Sequence, residues 1–435
     1  MTPESRPLRV EPAPDETQAD RAPSAEARSA ELAALIRAEI ESDPDRRITF
    51  AGFMELALYE PHLGYYRQAA DRPTESGDFL TAPETHAIFG WTVARRIEEM
   101  WTALGEPRPF KLIEFGAGSG TLALSILEGM RRHGSAALLA ALRYEPVESN
   151  PHRLADLRRR FEEAGMADRL ADCPADRPVT SPGASAAETA TPATPATPAP
   201  GVVIANEFLD ALPVHRVVQR AGRLEELFVV WRDGFAQVAA EPSTPELAAR
   251  LADDGVELEE GQIAEICLDL GPWLDEAAAR LASGYVIGVD YGYPAAELYG
   301  PRRLAGTLLG YRGHRVVDDP FADVGLVDLT AHVDFTAVSR LAGQRGLATF
   351  GLETQQEFLV AAGLETELRV LQDSPETTAE DYLRARSGIL RMLDPRHMGR
   401  FRVLTMGRGM AGAAGSVGPA GSGRSAISHL PYCRY

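Results

Sequence analysis

The stretch Lys111-Leu112-Ile113-Glu114-Phe115-Gly116-Ala117-Gly118-Ser119-Gly120 constrains this chain more than any other. A short apolar run ends in an acid and three alternating glycines, and the helix-patterned Thr121 to Met130 follows; the order reads as strand, tight turn, helix. Glycine lets backbone approach a ligand where a Cβ would collide. The spacing differs from the G-x-G-x-x-G that presents a helix N-terminus to a pyrophosphate, which counts against a nicotinamide-dependent oxidoreductase on the same type of sheet. Such a turn also has a purely steric explanation, because glycines close strand-helix junctions whether or not a ligand binds.

At 435 residues, 45% hydrophobic and 25% charged, the chain has the balance of a globular protein with a sizeable core. Its formal net charge of -19 argues against a nucleic-acid surface, which needs a basic stripe, and suits a basic protein partner or a cationic ligand. Lys111 is the only lysine; this arginine bias reads as the base composition of a GC-rich bacterium. Cys173, Cys267 and Cys433 are odd in number and far apart, which suggests neither disulfides nor a thiolate zinc site and fits a reducing cytoplasm. The histidines lack metal-site spacing, no apolar run reaches membrane-spanning length, and the acidic N-terminus resembles no targeting peptide. No metal and no membrane insertion are expected.

Residues 1–28 read as a disordered tail and 29–105 as an N-terminal helical cap, with Leu32, Leu35, Ile36 and Ile40 on one helix face and Thr49 capping a second helix. Tyr59 to Tyr66 is a turn carrying three tyrosines, which either pack the turn onto the core or touch ligand. In the next loop, from Gly77, the residues Asp78, Thr81 and Glu84 either cover a ligand or, for Thr81 and Glu84, form a capping box. Leu142 to Glu148 reads as a second strand ending in an acid, although Pro146 weakens it. Glu148 at its end is the candidate acceptor for ribose hydroxyls, ahead of Glu145. The helix from Pro151 to Ala164 carries Arg153, Arg158, Arg159 and Arg160 as a solvated face.

The Thr/Pro/Ala repeat at 178–200 is a low-complexity insert. Val202 to Ala205 then reads as a buried parallel strand, and residues just past such a strand face the ligand crevice of an open α/β sheet. Asn206, Glu207 and Asp210 are therefore the main catalytic candidates. A β-meander at 216–239, a helix at 274–282 and a strand at 285–290 ending in Asp290 and Tyr291 follow. His314 and His332 lie in polar loops, 310–314 and 328–335; a helix starts at Gln355. Leu368 to Leu371 and Phe401 to Met406 are expected as closing antiparallel strands, and 409–435 as a flexible tail.

Six motifs in order, Tyr59 to Tyr66, Gly77 to Glu84, Glu114 to Gly120, Ala205 to Val214, Asp290 to Gly292 and Asp328 to Phe335, resemble the MidA-like family of S-adenosylmethionine (SAM) methyltransferases, which includes the mitochondrial complex I assembly factor and bacterial relatives. That family commonly carries proline and arginine where this chain has Ala117 and Ser119, but the glycines remain. The resemblance implies an α/β, class I SAM-methyltransferase (Rossmann-like) sheet at 106–408 with the N-terminal helical cap and inserted β-meander and helical segments. With SAM as the implied cofactor, Glu114, Gly116, Gly118, Gly120 and Glu148 are the residues expected to hold it, together with Thr81 and Glu84. For the mitochondrial member the resemblance implies methylation of an arginine on a complex I subunit; on this chain an arginine of a protein substrate is the expected acceptor, and the strand-end position makes Glu207 and Asp210 the pair expected to fork onto its guanidinium, with Asn206 orienting. A small-amine methyltransferase and a non-catalytic assembly chaperone that retains the fold are the alternatives.

Overall fold

The computed structural model describes residues 24–68, 81–171, 197–313 and 315–409. Asp78, Cys173, Cys433 and His314, most of the 178–200 insert, the tail before Ser24 and the tail beyond Gly409 lie outside the described residues.

A six-stranded sheet runs in the order Ala348–Thr354, Arg402–Arg408, Leu281–Asp290, Ala199–Asn206, Phe110–Phe115, Leu142–Val147. The last four are parallel and the first two antiparallel to their neighbours. Along the parallel strands successive apolar side chains enter two different cores. Leu112, Val202, Ile204 and Val289 join one, while Ile113, Val203, Ala205 and Val286 join the other. Burial on both faces is why these strands read as continuous apolar runs rather than alternating ones. Helices Ile88–Ala103, Thr121–Arg132 and Pro151–Glu163 cover the first face; Leu270–Arg280 and Phe335–Gln344 cover the second. Pro146 is tolerated because Leu142–Val147 is the sheet edge, where a missing ladder donor costs little.

The meander forms as expected (His215–Arg220, Arg223–Trp231, Phe235–Ala240), but in a separate five-stranded antiparallel sheet with Ile48–Thr49 and Ile263–Ile266. The N-terminal region is correspondingly not one cap. Ala25–Ser42 and Phe50–Tyr59 pack on this second sheet through Leu32, Ile36, Phe50, Phe53 and Val229, whereas Ile88–Ala103 belongs to the main sheet's core. The first helix starts within the segment expected as disordered, because Ser24 Oγ accepts from Ala27 N (3.2 Å) and closes its first turn. Thr49 caps the second helix, as its position suggested.

Leu368 to Leu371 is not a strand but part of helix Leu364–Asp373, whose Leu364, Glu367 and Leu371 are buried at helical spacing. The closing partner of Arg402–Arg408 is instead Ala348–Thr354, a half-buried strand with a register shift between Thr349 and Gly351 that blurs its alternation. Segments 310–314 and 328–335, expected as loops, contain the paired strands Leu309–Arg312 and Asp328–Thr330. Buried Glu367 links the C-terminal helices to the main body: its Oε1 accepts from Arg95 Nε and lies 2.9 Å from His133 Nε2. Burial acts to raise this carboxyl, yet His133 and Arg95 outweigh it and hold it below its usual value.

Replacing Glu367 with Ala leaves the Arg95 guanidinium and the His133 ring without their shared acceptor and should lower stability by about 2–3 kcal/mol, read by urea denaturation. A depressed folded-state value means that the contribution is present above the ordinary carboxylate range and is lost as pH falls through the folded value. The wild-type advantage over Glu367→Ala should therefore shrink in acid.

Candidate active site

Strand order reverses between Phe110–Phe115 and Ala199–Asn206, which opens a crevice at their carboxyl ends. Register brings the relevant residues to one edge: Phe115 pairs with Val147 and Ala205, and Asn206 with Val289. Gly116, Glu148, Glu207 and Asp290 thus leave the sheet side by side. Glu207 therefore follows its strand on the same sheet edge as the glycine turn.

Gly116, Gly118 and Gly120 all have positive φ (69°, 53° and 78°), the region glycine occupies without steric cost. A Cβ on Gly120 would stand 2.9 Å from Leu157 Cγ, so this glycine seats the turn on the next helix. A Cβ on Gly118 would meet nothing closer than 4.0 Å, so its backbone borders open space. Gly118 N donates to Glu148 Oε2 (2.8 Å), and Asn150 N donates to Oε1 (2.7 Å), which aims the Glu148 carboxylate at the turn. Asn150 caps the helix from Pro151, leaving Glu148 free of that duty. Glu145 is spent elsewhere, on Lys111 Nζ (3.0 Å) and Arg280. Glu114 lies buried under the turn, accepts from Tyr144 Oη (2.7 Å), and is pushed up to about 8 by burial.

Arg160 corrects the expectation of a wholly solvated arginine face. Its Nη1 donates to Ser119 O (3.0 Å), Ser119 Oγ (2.7 Å) and Thr121 Oγ1 (2.9 Å), bracing the glycine turn from outside. Thr81 and Glu84 form the capping box: Glu84 Oε2 accepts from Thr81 N (3.1 Å) and Oγ1 (3.0 Å). Their helix, Ala82–Thr85, directs Ala82 N at Glu207 Oε1 (3.2 Å), so the segment crosses the crevice.

The chain after Ala199–Asn206 is gathered by Asp290, a residue whose part sequence spacing did not reveal. Its fully buried Oδ2 accepts from Phe208 N (3.2 Å), Leu209 N (2.9 Å) and Asp210 N (3.2 Å), and Oδ1 accepts from Tyr291 N (2.9 Å). Burial and the neighbouring Asp210 and Glu207 drive this carboxyl upward against those amides. Glu207 is held at φ 48°, a left-handed conformation that costs a non-glycine residue about 1 kcal/mol or more. Burial and Asp210 push Glu207 up to about 8; burial pushes Asp210 up to about 6, opposed by the hydrogen bond from the Tyr291 side chain. Asn206 Nδ2 donates to Glu207 Oε1 (3.3 Å). Asn206 Oδ1, Glu207 Oε2 and Asp210 Oδ1 are buried with no hydrogen-bond partner among the described residues. The tyrosine turn docks against this edge: Tyr59 Oη donates to Ala211 O (3.0 Å), and Asn150 Nδ2 to Tyr66 O (2.7 Å). His332 stands between Tyr291 and Tyr293, ring centroids 5.3 and 5.6 Å away, and burial drives it down to about 4. No metal-ligating cluster occurs among the described residues.

An open glycine turn flanked by a strand-end acid, on a doubly wound sheet with an antiparallel closing strand, defines a class I SAM-dependent methyltransferase. The comparisons agree. Residues 92–353 match a family described as "Putative S-adenosyl-L-methionine-dependent methyltransferase", and the chain belongs to that family. A crystal structure from Burkholderia thailandensis bound to S-adenosyl-homocysteine superposes with a TM-score of 0.76 at 31% identity, covering 93% of this chain and 97% of that one. Mouse "Protein arginine methyltransferase NDUFAF7, mitochondrial" is 30% identical over 81% of this chain and 79% of its own length. The Drosophila melanogaster homologue of that name is 30% identical over 92% and 90%. The MidA-like resemblance, the fold and the SAM cofactor all stand on these findings.

Asp290→Asn would turn a donor toward backbone N–H groups that need an acceptor. It should release the 207–210 segment, abolish transfer, and cost about 2–4 kcal/mol, whereas an unchanged melting temperature would show that the segment is held otherwise.

Proposed function

We propose that this protein methylates an arginine guanidino nitrogen of a protein substrate. The observation that carries the reading is the trio of buried, unpartnered acceptors Asn206 Oδ1, Glu207 Oε2 and Asp210 Oδ1 on one short segment. Leaving an acceptor buried and unmet costs roughly 1–3 kcal/mol, and a guanidinium brings five N–H donors in a planar fork. The net charge of -19 and the arginine methyltransferase names of the relatives support the same substrate class. The family resemblance nominates a respiratory complex I subunit as the protein modified, and the unpaired cysteine pattern points to a bacterial cytoplasm.

SAM supplies a methyl group already activated on a sulfonium. Gly118, whose backbone borders open space, would admit it, Glu148 would receive its ribose hydroxyls, and Gly116 and Gly120, packed on Phe208 and Leu157, would shape the turn with Glu114 beneath it. Thr81 and Glu84 act by fixing the Ala82 segment over the crevice. Glu207 and Asp210 fork onto the guanidinium, with Asn206 orienting it. A guanidinium is protonated and lacks a free lone pair, so in-line placement and a proton acceptor are what the protein must add. Glu207 Oε2 takes the proton that the reacting nitrogen gives up.

Glu207→Gln should abolish methyl transfer while leaving SAM affinity, measured calorimetrically, nearly intact; transfer at the wild-type rate would remove Glu207 from this role. Incubation with labelled SAM and a lysate of its own host, followed by mass spectrometry, should place the label on a protein arginine. Label in a small amine would favour the small-amine alternative, and tight partner binding without label would favour a chaperone.

Burial raises both carboxyls, and they must ionise to hold a cation. On the acid side, kcat/KM should therefore rise with pH and level off above about 8, the value of Glu207. A profile flat from pH 6 to 9 would argue against an ionised Glu207.

A further inference from the structure

We infer that Arg400, with Arg303 and Arg402 beside it, forms a carboxylate-binding subsite next to the acid pocket, which selects protein substrates carrying Asp or Glu within about three residues of the target arginine. The inference rests on the arginine reading above. It gives the crevice a second, oppositely charged half that engages the substrate chain rather than the reacting group.

Strand register places these arginines. Arg402 pairs with Asp290 on the neighbouring antiparallel strand, and paired Cα atoms lie about 5 Å apart. Two residues of chain add at most about 7 Å, so Arg400 stands within about 12 Å of Asp290, whose Oδ2 accepts from Asp210 N (3.2 Å). Phe401, between the two arginines, sets its ring 5.4 Å from that of Tyr291, whose side chain hydrogen-bonds Asp210. The glycine turn is farther off, because three strand spacings, about 14 Å, separate Phe110–Phe115 from Arg402–Arg408. The arginines therefore border the acids and not the glycine turn. Besides burial, the Tyr311 phenol is raised by Asp210 and lowered by Arg400, so both charges bear on one ring.

The cluster carries more positive charge than it matches. Tyr293 takes the guanidinium of Arg303 at 4.0 Å and that of Arg402 at 5.9 Å from its ring centroid. Arg303 Nη1 donates to the neutral Glu297 O. Arg402 Nη2 reaches Glu297 Oε2 only at 4.0 Å, and its Nε is buried with no partner among the described residues. Glu357, the other acid on which Arg402 acts, is spent on Thr354. Arg400 is exposed, and its side chain makes no hydrogen bond or ion pair among the described residues. Burial, then Arg303 and Arg400, drive His332 down, so the ring 5.6 Å from Tyr293 stays neutral and adds no charge of its own. Three guanidiniums thus gather around one loosely placed acid in a chain of net charge -19. A carboxylate answers such a group, because its two oxygens match the planar fork of arginine in charge-assisted bonds. In an extended peptide, residues two apart point the same way and lie about 7 Å from each other. An acid two positions from the target arginine therefore meets Arg400 while the guanidinium enters the acid pocket.

The full-length protein saturated with S-adenosyl-homocysteine would be titrated by calorimetry with two end-capped peptides, Gly-Glu-Gly-Arg-Gly-Glu-Gly and the same chain with glutamine in place of both glutamates. The overall charge of the protein favours the glutamine peptide, which is the more positive, whereas the subsite favours the glutamate peptide. Wild type should bind the glutamate peptide roughly fivefold more tightly. Arg400→Ala should erase that preference and Arg400→Glu invert it, while Arg400→Lys, which keeps the charge without the fork, should retain part of it. Wild type binding the glutamine peptide as well or better, a preference that survives Arg400→Ala, or an equal loss of both peptides in that variant would overturn the inference and leave the arginine reading standing. Wild type binding neither peptide would instead strike at the arginine reading, and the inference would fall with it.

Discussion

The site depends on one carboxylate that does no chemistry. Asp290 ends a central strand and collects the amides of Phe208, Leu209, Asp210 and Tyr291. Without an acceptor there, an irregular segment could not stay buried, because its N–H groups would have neither a ladder nor water. Those bonds also offset the left-handed backbone at Glu207. Two further placements follow: Asp210 is turned toward Tyr291, and Phe208 lies under the glycine turn, its Cδ2 3.0 Å from where a Gly116 Cβ would be. The glycine-turn half of the crevice and the half bearing the acids are therefore joined through one short segment.

The two halves differ physically in ways that suit two ligands. The glycine-turn side is open backbone, with a glycine whose missing side chain leaves space and an acid already aimed by amides. The acid side is drier and its carboxyls are driven upward by burial, so they gain most from a cation that restores their ionised form. Arg160 and the Lys111–Glu145–Arg280 group hold the turn and strands rigid without entering the crevice.

The second sheet explains why the N-terminal helices exist in this form. They bury Leu32, Ile36, Phe50 and Phe53 against the meander, and the turn after them carries Tyr59 and Tyr66 across to the main sheet. The wall of the acid pocket is thus built by a layer more than a hundred residues distant in sequence. That layer is pinned by Asn150 and Ala211, which belong to the edge it covers.

What the amino-acid sequence determined by itself was whatever repeats or punctuates locally. The apolar runs at 110–115, 202–205 and 285–290, the glycine turn, and the acids at strand ends carry their meaning within ten residues, because strand burial and turn geometry are short-range constraints. Helix Leu364–Asp373 escaped because four residues, Leu368 to Leu371, are too few to separate a strand from a helix; only the buried Leu364, Glu367 and Leu371 reveal the period. The tertiary structure alone decided that Asp290 is an anchor, that Arg160 braces the turn, that Glu145 is consumed by cations while Glu148 is not, and that Tyr66 meets Asp328. Each is a hydrogen bond between residues 30 or more positions apart. No local pattern encodes such a pairing, since it exists only once the sheet has fixed which strand ends lie side by side.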